Sequence, residues 1–444
     1  MTKLMTISNK SIVSKYSLEQ MDESLTIYEG NLCIYSSVNI RFNGRVYYDM
    51  TDTSSIKFEG TIYKFDELEE DIPSLMMDSV TLEILGYKLI DADITSIKNN
   101  HIEGYANDFV IKSKDNKVDY VQFDIVNMDK IPGKLVKYQD LVYAGRIEFT
   151  LNDYKIIIDK SYGYNKDLKA SLEAKSSNII THTGRIYRKN EAPFNTRKVD
   201  QMISRIATAL SFASGRYVSI PNTYGYHEDR EVYRAWYRMA RSGYKFVFNW
   251  TSTISNYHNI EKYMSLMCKK LEEDYYNDTI SNVLDWYMEA INGMNLGNNI
   301  ISVQTALEML SYVVLVETEN TYRQSVYDKH SSKRNIRELL DHCGIDGSIP
   351  KECDMSDNIK TYFSDSVDAI TFYRNSVVHP SRNKKIYLDF ESMFNIILLG
   401  ISYIELVILY LIGYKGEYTD RFKDYSFGDV HQVAWTNKNK NIDK

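Results

Sequence analysis

The chain lacks the short motifs by which common hydrolases are recognised. It has no glycine-rich phosphate loop, no dinucleotide-binding glycine pattern, no H-E-x-x-H and no G-x-S-x-G. P-loop nucleotide hydrolysis and nucleophile-elbow chemistry therefore have no residues to work with. Paired cysteines are missing too. Cys33, Cys268, Cys343 and Cys353 are scattered without a C-x-x-C pair, and Cys343/Cys353 beside His342 does not match a structural zinc site. Reduced thiols in a cytoplasmic protein are expected, with no metal and no cofactor. Residues 1–10 have no continuous apolar core, so no secretory signal is expected. An excess of positive charge is also absent. A formal net charge of −7 argues against a general nucleic-acid coat protein but leaves room for a local basic patch.

What is present is an ordinary globular composition, 43% hydrophobic and 25% charged, in a chain of 444 residues, long enough for two or three domains. Residues 1–190 alternate apolar and polar positions in short runs, as at 38–48, 55–65, 120–125 and 146–158. Phe42-Asn43-Gly44 and Lys114-Asp115-Asn116 read as turns, and Gly44-Arg45-Val46, Gly60-Thr61-Ile62, Gly145-Arg146-Ile147 and Gly184-Arg185-Ile186 as glycine turns feeding strands. The expected product is an antiparallel sandwich or barrel. Residues 191–257 read as a mixed α/β segment, with a helix over 196–213, strands at 217–220 and 244–250, and a helix over 228–242. On that last helix Arg230, Arg234, Arg238 and Arg241 would form one cationic stripe beside Tyr233 and Tyr237. The stripe is either a grip for a nucleic-acid backbone or a solvated face paired with Glu228, Asp229 and Glu231. Residues 258–444 read as all-helical, with helices near 258–273, 278–294, 299–318, 332–343, 357–378 and 390–413. Asn277-Asp278 and Ser356-Asp357 are the expected N-caps, and Gly344 and Gly413 the expected stops. The fold class is thus α+β.

Residues 394–413 are long and apolar enough to span a bilayer. Glu391, Asn395, Ser402 and Glu405, however, fall on one side of that helix. A carboxylate inside a membrane is costly. A core helix with one polar face on a cleft, and no membrane partner, is the expected reading.

The most informative string is Arg374-Asn375-Ser376-Val377-Val378-His379-Pro380. Arg374, Asn375 and His379 fall within a turn and a half at the end of a helix that Pro380 should stop at His379. Metal-free RNA cleavage needs such groups, a fixed positive charge for phosphate and an imidazole that titrates near neutrality. Arg382, Lys384 and Lys385 follow without an intervening acid, which suits a polyanionic ligand such as RNA. The plainer alternative is that Arg374 and His379 cap the helix. On the helix at 299–318, Glu308 either faces these residues or belongs to a surface stripe with Gln304 and Ser311. Arg323, Lys329, Lys333, Arg334 and Arg337 form a further basic stretch.

R-N-x-x-x-H near a helix end resembles the ribonuclease signature of the HEPN superfamily, over about residues 258–420. The remainder resembles the β-rich N-terminal part of large ApeA-like HEPN proteins of bacterial anti-phage defence. The resemblance implies an endoribonuclease in which the RNA 2′-hydroxyl attacks phosphorus and leaves a 2′,3′-cyclic phosphate. His379 would be general acid or base, Arg374 would stabilise the developing charge, and Asn375 would orient phosphate or imidazole. It further implies a twofold homodimer through the C-terminal helices and release by a phage-derived trigger. The alternative within the same resemblance is a non-catalytic dimer that binds RNA or a partner.

Overall fold

The computed structural model describes residues 9–16, 24–36, 38–50, 55–65, 79–84, 89–112, 117–175, 177–239, 244–355, 360–379 and 389–436. The chain divides into two units, Met1–Ala207 with Val218–Phe246, and Thr208–Tyr217 with Val247–Lys444. Residues 191–257 are shared between them. The fold is mixed α+β, with an antiparallel β region first and helices after it.

In the first unit, β1 (Ser24–Tyr35), β2 (Ile40–Asp49), β3 (Ile56–Phe65), β4 (Val80–Glu83), β5 (Leu89–Lys98) and β6 (His101–Ala106) close a barrel in the order β1-β2-β3-β6-β5-β4. Period-two patterning builds it: Ile56, Phe58, Gly60 and Ile62 of β3 point inward, while Lys57, Glu59, Thr61 and Tyr63 alternate with them. Phe42-Asn43-Gly44 is not a turn. It lies within β2, and Gly44 sits directly across from Gly60 of β3. A Cβ on Gly44 would fall 1.9 Å from the Glu59 carbonyl oxygen, so glycine here serves close backbone approach. Gly184 likewise lies within a strand, where Phe123 of the neighbouring strand fills the space a Cβ would take. Lys114-Asp115-Asn116 lies outside the described residues.

The same unit holds an eight-stranded sheet built from β7 (Phe109–Lys112), β9 (Tyr120–Val126), β10 (Lys134–Tyr138), β11 (Leu141–Leu151), β12 (Tyr154–Lys160), β13 (Ile180–Arg188), β15 (Ser219–His227) and β16 (Arg230–Trp236). Their order is β10-β11-β12-β13-β9-β15-β16-β7, and β8 (Lys117–Val118) pairs with β14 (Phe194–Asn195). The run expected as one strand over 146–158 is the β11–β12 hairpin, turning where Asn152 takes φ 51°. One face is unusually polar. Arg146, Asp159, Thr183, Asp124, Asn222 and Trp236 occupy successive cross-strand positions in a single row. Arg146 grips Asp159 with Nε and Nη2, both at 2.7 Å, and both side chains are buried. The segment 9–16 lies against this face: Ile12 N–H donates to Asp159 Oδ2 at 2.7 Å, and Gln122 Nε2 donates to the Val13 carbonyl at 3.0 Å.

Burial pushes the Asp124 carboxyl up to about 7. An unfolded aspartate titrates near ~3.9, so between these values the folded chain holds the extra proton. The stability contributed by Asp124 therefore falls as pH rises from about 4 through about 7. Asp124→Asn, which cannot ionise, should gain in melting temperature relative to wild type between pH ~5 and ~8. A difference that stays constant over that range would contradict the shifted titration.

Helix α1 (Lys166–Lys175) belongs to the first unit, and α2 (Val199–Ser214) runs from the first unit into the second. The second unit is built from α3 (Tyr257–Lys270), α4 (Asp274–Asn292), α5 (Leu296–Tyr312), α6 (Gln324–Tyr327), α7 (Ser332–Cys343), α8 (Ser366–Val378) and α9 (Phe390–Leu411). A π-helical stretch, Val313–Thr318, continues α5. Helix α4 starts at Asp274, ahead of the expected Asn277-Asp278 cap. Ser356-Asp357 lies outside the described residues, and α8 is capped instead by Asp365, whose side chain accepts from Asp368 N–H at 2.7 Å. Helix α7 stops at Gly344 in the left-handed conformation (φ 71°), as its glycine suggests. Residues 244–250, expected as a strand, are irregular, and Trp250 packs edge-on against Tyr263 at 4.7 Å.

Two stretches, Leu296–Thr318 and Phe390–Leu411, are long and apolar enough to cross a bilayer, yet most of each is buried within this unit. The buried carboxylate of α9 does not face a cleft. Glu405 is 2% exposed and accepts from Tyr287 Oη at 2.6 Å and from Arg421 Nη2 at 2.5 Å and Nε at 3.2 Å. The Arg421 guanidinium is itself buried and also donates to the Phe248 carbonyl.

Candidate functional site

Helix α8 buries Val367, Ile370 and Tyr373. Its first turn is held from α7, where Arg337 Nε donates to Asp365 Oδ2 at 2.5 Å and Lys333 pairs with Asp368. Its last helical residue is Val378, and His379 is the C-cap with φ −122° and ψ 75°, as expected of a residue before proline. The His379 N–H still donates to the Asn375 carbonyl at 2.8 Å. Arg374 is half-buried, Asn375 and His379 are exposed, and Arg374 Nη1 donates to Asn375 Oδ1 at 3.1 Å. The three residues thus stand at the C-terminal end of one helix, with one hydrogen bond linking two of them.

Sequence patterning did not indicate the apolar surface beside this helix end. Val377 and Val378 are exposed in the same turn, and Phe390 and Phe394 at the start of α9 are exposed with rings stacked at 6.3 Å. The signal was available in Phe390 and Phe394, four apart and therefore on one face of the helix start. Pro380, Arg382, Lys384 and Lys385 lie outside the described residues.

Glu308 is not brought to this end. A Cβ on Gly297 would meet Val377 Cγ1 at 3.3 Å, so the first turn of α5 adjoins the last turn of α8. Val303, further along α5, and Ile370, further back on α8, both lie against Gly400, so the two helices run antiparallel. Eleven residues beyond Gly297, Glu308 stands about 16 Å down the axis. There Gln304 Nε2 donates to its Oε1 at 2.7 Å, and Ser311 Oγ donates to its carbonyl at 2.8 Å. Sequence spacing places residues on helix faces but does not give helix direction.

The arginine helix expected over 228–242 is a β-hairpin. Glu228 and Asp229 take φ 48° and 62°, a two-residue turn between β15 and β16. Alternation along β16 buries Tyr233 and Ala235 and leaves Arg230 exposed. Arg234 pairs with Glu231 and lies 5.2 Å from the Trp236 ring, and the exposed Arg238 stands 3.5 Å from Asp108. Arg241 lies outside the described residues. Tyr233 and Tyr237 donate to Asp200 at 2.5 and 2.6 Å, so their hydroxyls are engaged. The continuous cationic stripe therefore does not form. In the other basic stretch Lys333, Arg334 and Arg337 carry acidic partners, while Arg323 and Lys329 are exposed.

The fold and this helix end define a two-unit α+β protein that carries Arg374, Asn375 and His379 at the end of one helix of its helical part. Residues 113–247 match the family model of the YopA central domain, and residues 273–432 match that of the YopA C-terminal domain. The chain is similar to the SPbeta prophage-derived uncharacterized protein YopA of Bacillus subtilis (strain 168). The two are 28% identical over 446 residues, covering 97% of this chain and 99% of the relative. No solved structure gives a significant match.

Proposed function

We propose that the protein is a cytoplasmic, metal-independent endoribonuclease of anti-phage defence or toxin type, with a HEPN-like helical region. The observation that supports it is the arrangement of Arg374, Asn375 and His379 at the C-terminal end of α8. The prophage origin of the relative is in keeping with a role in conflict between phages. The 2′-hydroxyl attacks the adjacent phosphorus as the P–O5′ bond breaks, leaving a 2′,3′-cyclic phosphate and a 5′-hydroxyl. His379 moves a proton, and Arg374 stabilises the non-bridging oxygens. One imidazole serves one side of phosphorus, so a second copy supplies the other across a twofold axis. The exposed Val377, Val378, Phe390 and Phe394 are the apolar surface for that contact.

Purified full-length chain should cut RNA in EDTA, leave DNA intact and sediment as a dimer. Cleavage by a strict monomer would overturn the dimer, and efficient cutting of DNA would overturn the chemistry. The placement of Glu308 favours the second reading, a non-catalytic RNA- or partner-binding dimer, because it leaves the imidazole without that carboxylate.

A further inference from the structure

The outer strands of the eight-stranded sheet bring tyrosines and lysines together on the surface of the first unit. Tyr138 ends β10, Tyr143 lies on β11, and Tyr162 follows β12. The Tyr138 and Tyr162 rings stack 5.1 Å apart at 16°, and Tyr143 leans on Tyr162 at 5.7 Å. Tyr143 is pinned by its hydroxyl, which donates to the Lys160 carbonyl at 2.7 Å. Tyr162 is 44% exposed, a ring open to solvent and already held by two neighbours. Little freedom is lost when such a ring meets a flat ligand.

Two cations continue the surface. Lys160, the last residue of β12, runs over Gly145 of β11, where a Cβ would fall 2.8 Å from the lysine Cβ and 3.3 Å from its Cε. The glycine gives the lysine its path. Its ammonium ends 5.0 Å from the Tyr143 ring and donates to the Tyr164 carbonyl at 3.3 Å. Lys130 is exposed and stands 5.6 Å from the ring of the same Tyr164. Neither ammonium forms an ion pair among the described residues, whereas Lys169 beside them pairs with Asp129 at 2.9 Å. Burial and the Lys130 charge hold Lys160 below its usual range, and burial and the Lys169 charge do the same to Lys130. Asp129 and Asp167 offset part of this at Lys130. An anion lying across Lys130 and Lys160 would relieve their repulsion.

We propose that this surface binds single-stranded RNA, with a base stacked on Tyr162 and the adjoining phosphates on Lys160 and Lys130. Open aromatic faces beside unpaired cations are what unpaired bases on a phosphate backbone require. A duplex hides its base faces and would meet the lysines alone. The choice of RNA over DNA rests on the nuclease reading, but the surface itself lies in the first unit and uses none of Arg374, Asn375 or His379. The exposed Leu135, Leu141 and Val142 of the same hairpin would suit a lipid surface. Against that, the fully exposed Asp140 carboxylate at the hairpin turn opposes an anionic bilayer.

The test is fluorescence anisotropy of short labelled strands with the full-length His379→Ala chain in EDTA, which on the nuclease reading leaves RNA uncut. Single-stranded RNA should bind more tightly than the same sequence in a duplex. Tyr162→Leu should weaken binding at least about fivefold, the loss of one stacked base, and leave its salt dependence unchanged. Lys130→Gln with Lys160→Gln should flatten the slope of log affinity against log salt by about 1.4, two phosphate contacts at about 0.7 each on a single strand. Melting temperatures check that each variant folds, and should Tyr162→Leu fail, the lysine pair carries the test. No binding at micromolar chain, equal affinity for the duplex, or unchanged affinity in a folded Tyr162→Leu overturns the proposal. Tighter binding of the DNA strand overturns the choice of RNA, and attachment to anionic vesicles without RNA binding assigns the surface to lipid. A wild-type chain that binds the RNA strand without cutting it would remove the nuclease reading and leave this surface standing.

Discussion

Replacing His379 with alanine should lower RNA cleavage by about 10²–10⁴-fold and leave the melting temperature of the protein unchanged. The two halves of this result have separate physical origins. On the proposed reading the activity falls because the imidazole is the group that transfers the proton. The stability holds because His379 lies exposed beyond the last turn of α8, whose core contacts come from Val367, Ile370 and Tyr373. Arg374→Ala should show a loss of similar order through the missing charge at the non-bridging oxygens. Its hydrogen bond to Asn375 is a surface bond and contributes little to folding. Cleavage assays on a labelled single strand, paired with thermal melts, read both halves. Full activity in either variant, at wild-type melting temperature, would remove the nuclease reading.

The largest loss of stability is expected at Arg421. Arg421→Ala leaves the Glu405 carboxylate buried in the second unit with Tyr287 as its remaining donor, and should cost about 3–5 kcal/mol. The phenol of Tyr287 gives only partial relief, because burial and the Glu405 charge hold it protonated, well above its usual value. Removing both charges is a different experiment. Glu405→Leu combined with Arg421→Met abolishes the ion pair and its desolvation together, and should recover most of the loss. Urea unfolding of the single and double variants gives the comparison. A single-variant loss below about 1 kcal/mol would mean that the pair is solvated and does not hold the helices.

The strands were legible where alternation alone sets the fold, as in β3, where every second residue from Ile56 to Ile62 is buried. The end of α8 was legible for a local reason, since Pro380 restricts the residue before it. Glycine misled because two opposite demands select it, turning and close packing. Gly44 and Gly184 answer the second. The segment 228–242 misled because arginines four apart describe a helix face as well as they describe alternate residues of a strand. The deciding signal was the Glu228-Asp229 turn. Glu308 and Glu405 were seen as carboxylates on apolar helices, but their partners follow from helix direction and from a residue in another segment. Neither is encoded in the periodicity of the helix itself.

The Glu405–Arg421 pair also sets a clock on the folding of a newly made chain. Glu405 lies on α9, whereas its counter-charge belongs to a segment synthesised later, which returns across Phe248 and Trp250. Until residue 421 has left the ribosome, α9 cannot bury its carboxylate against α4 without a severe penalty, so the bundle stays unfinished. The exposed His379 at the end of α8 then stands on an unconsolidated scaffold until that segment is made. On the proposed nuclease reading, the order in which these charges emerge would keep the chain inactive during its own synthesis.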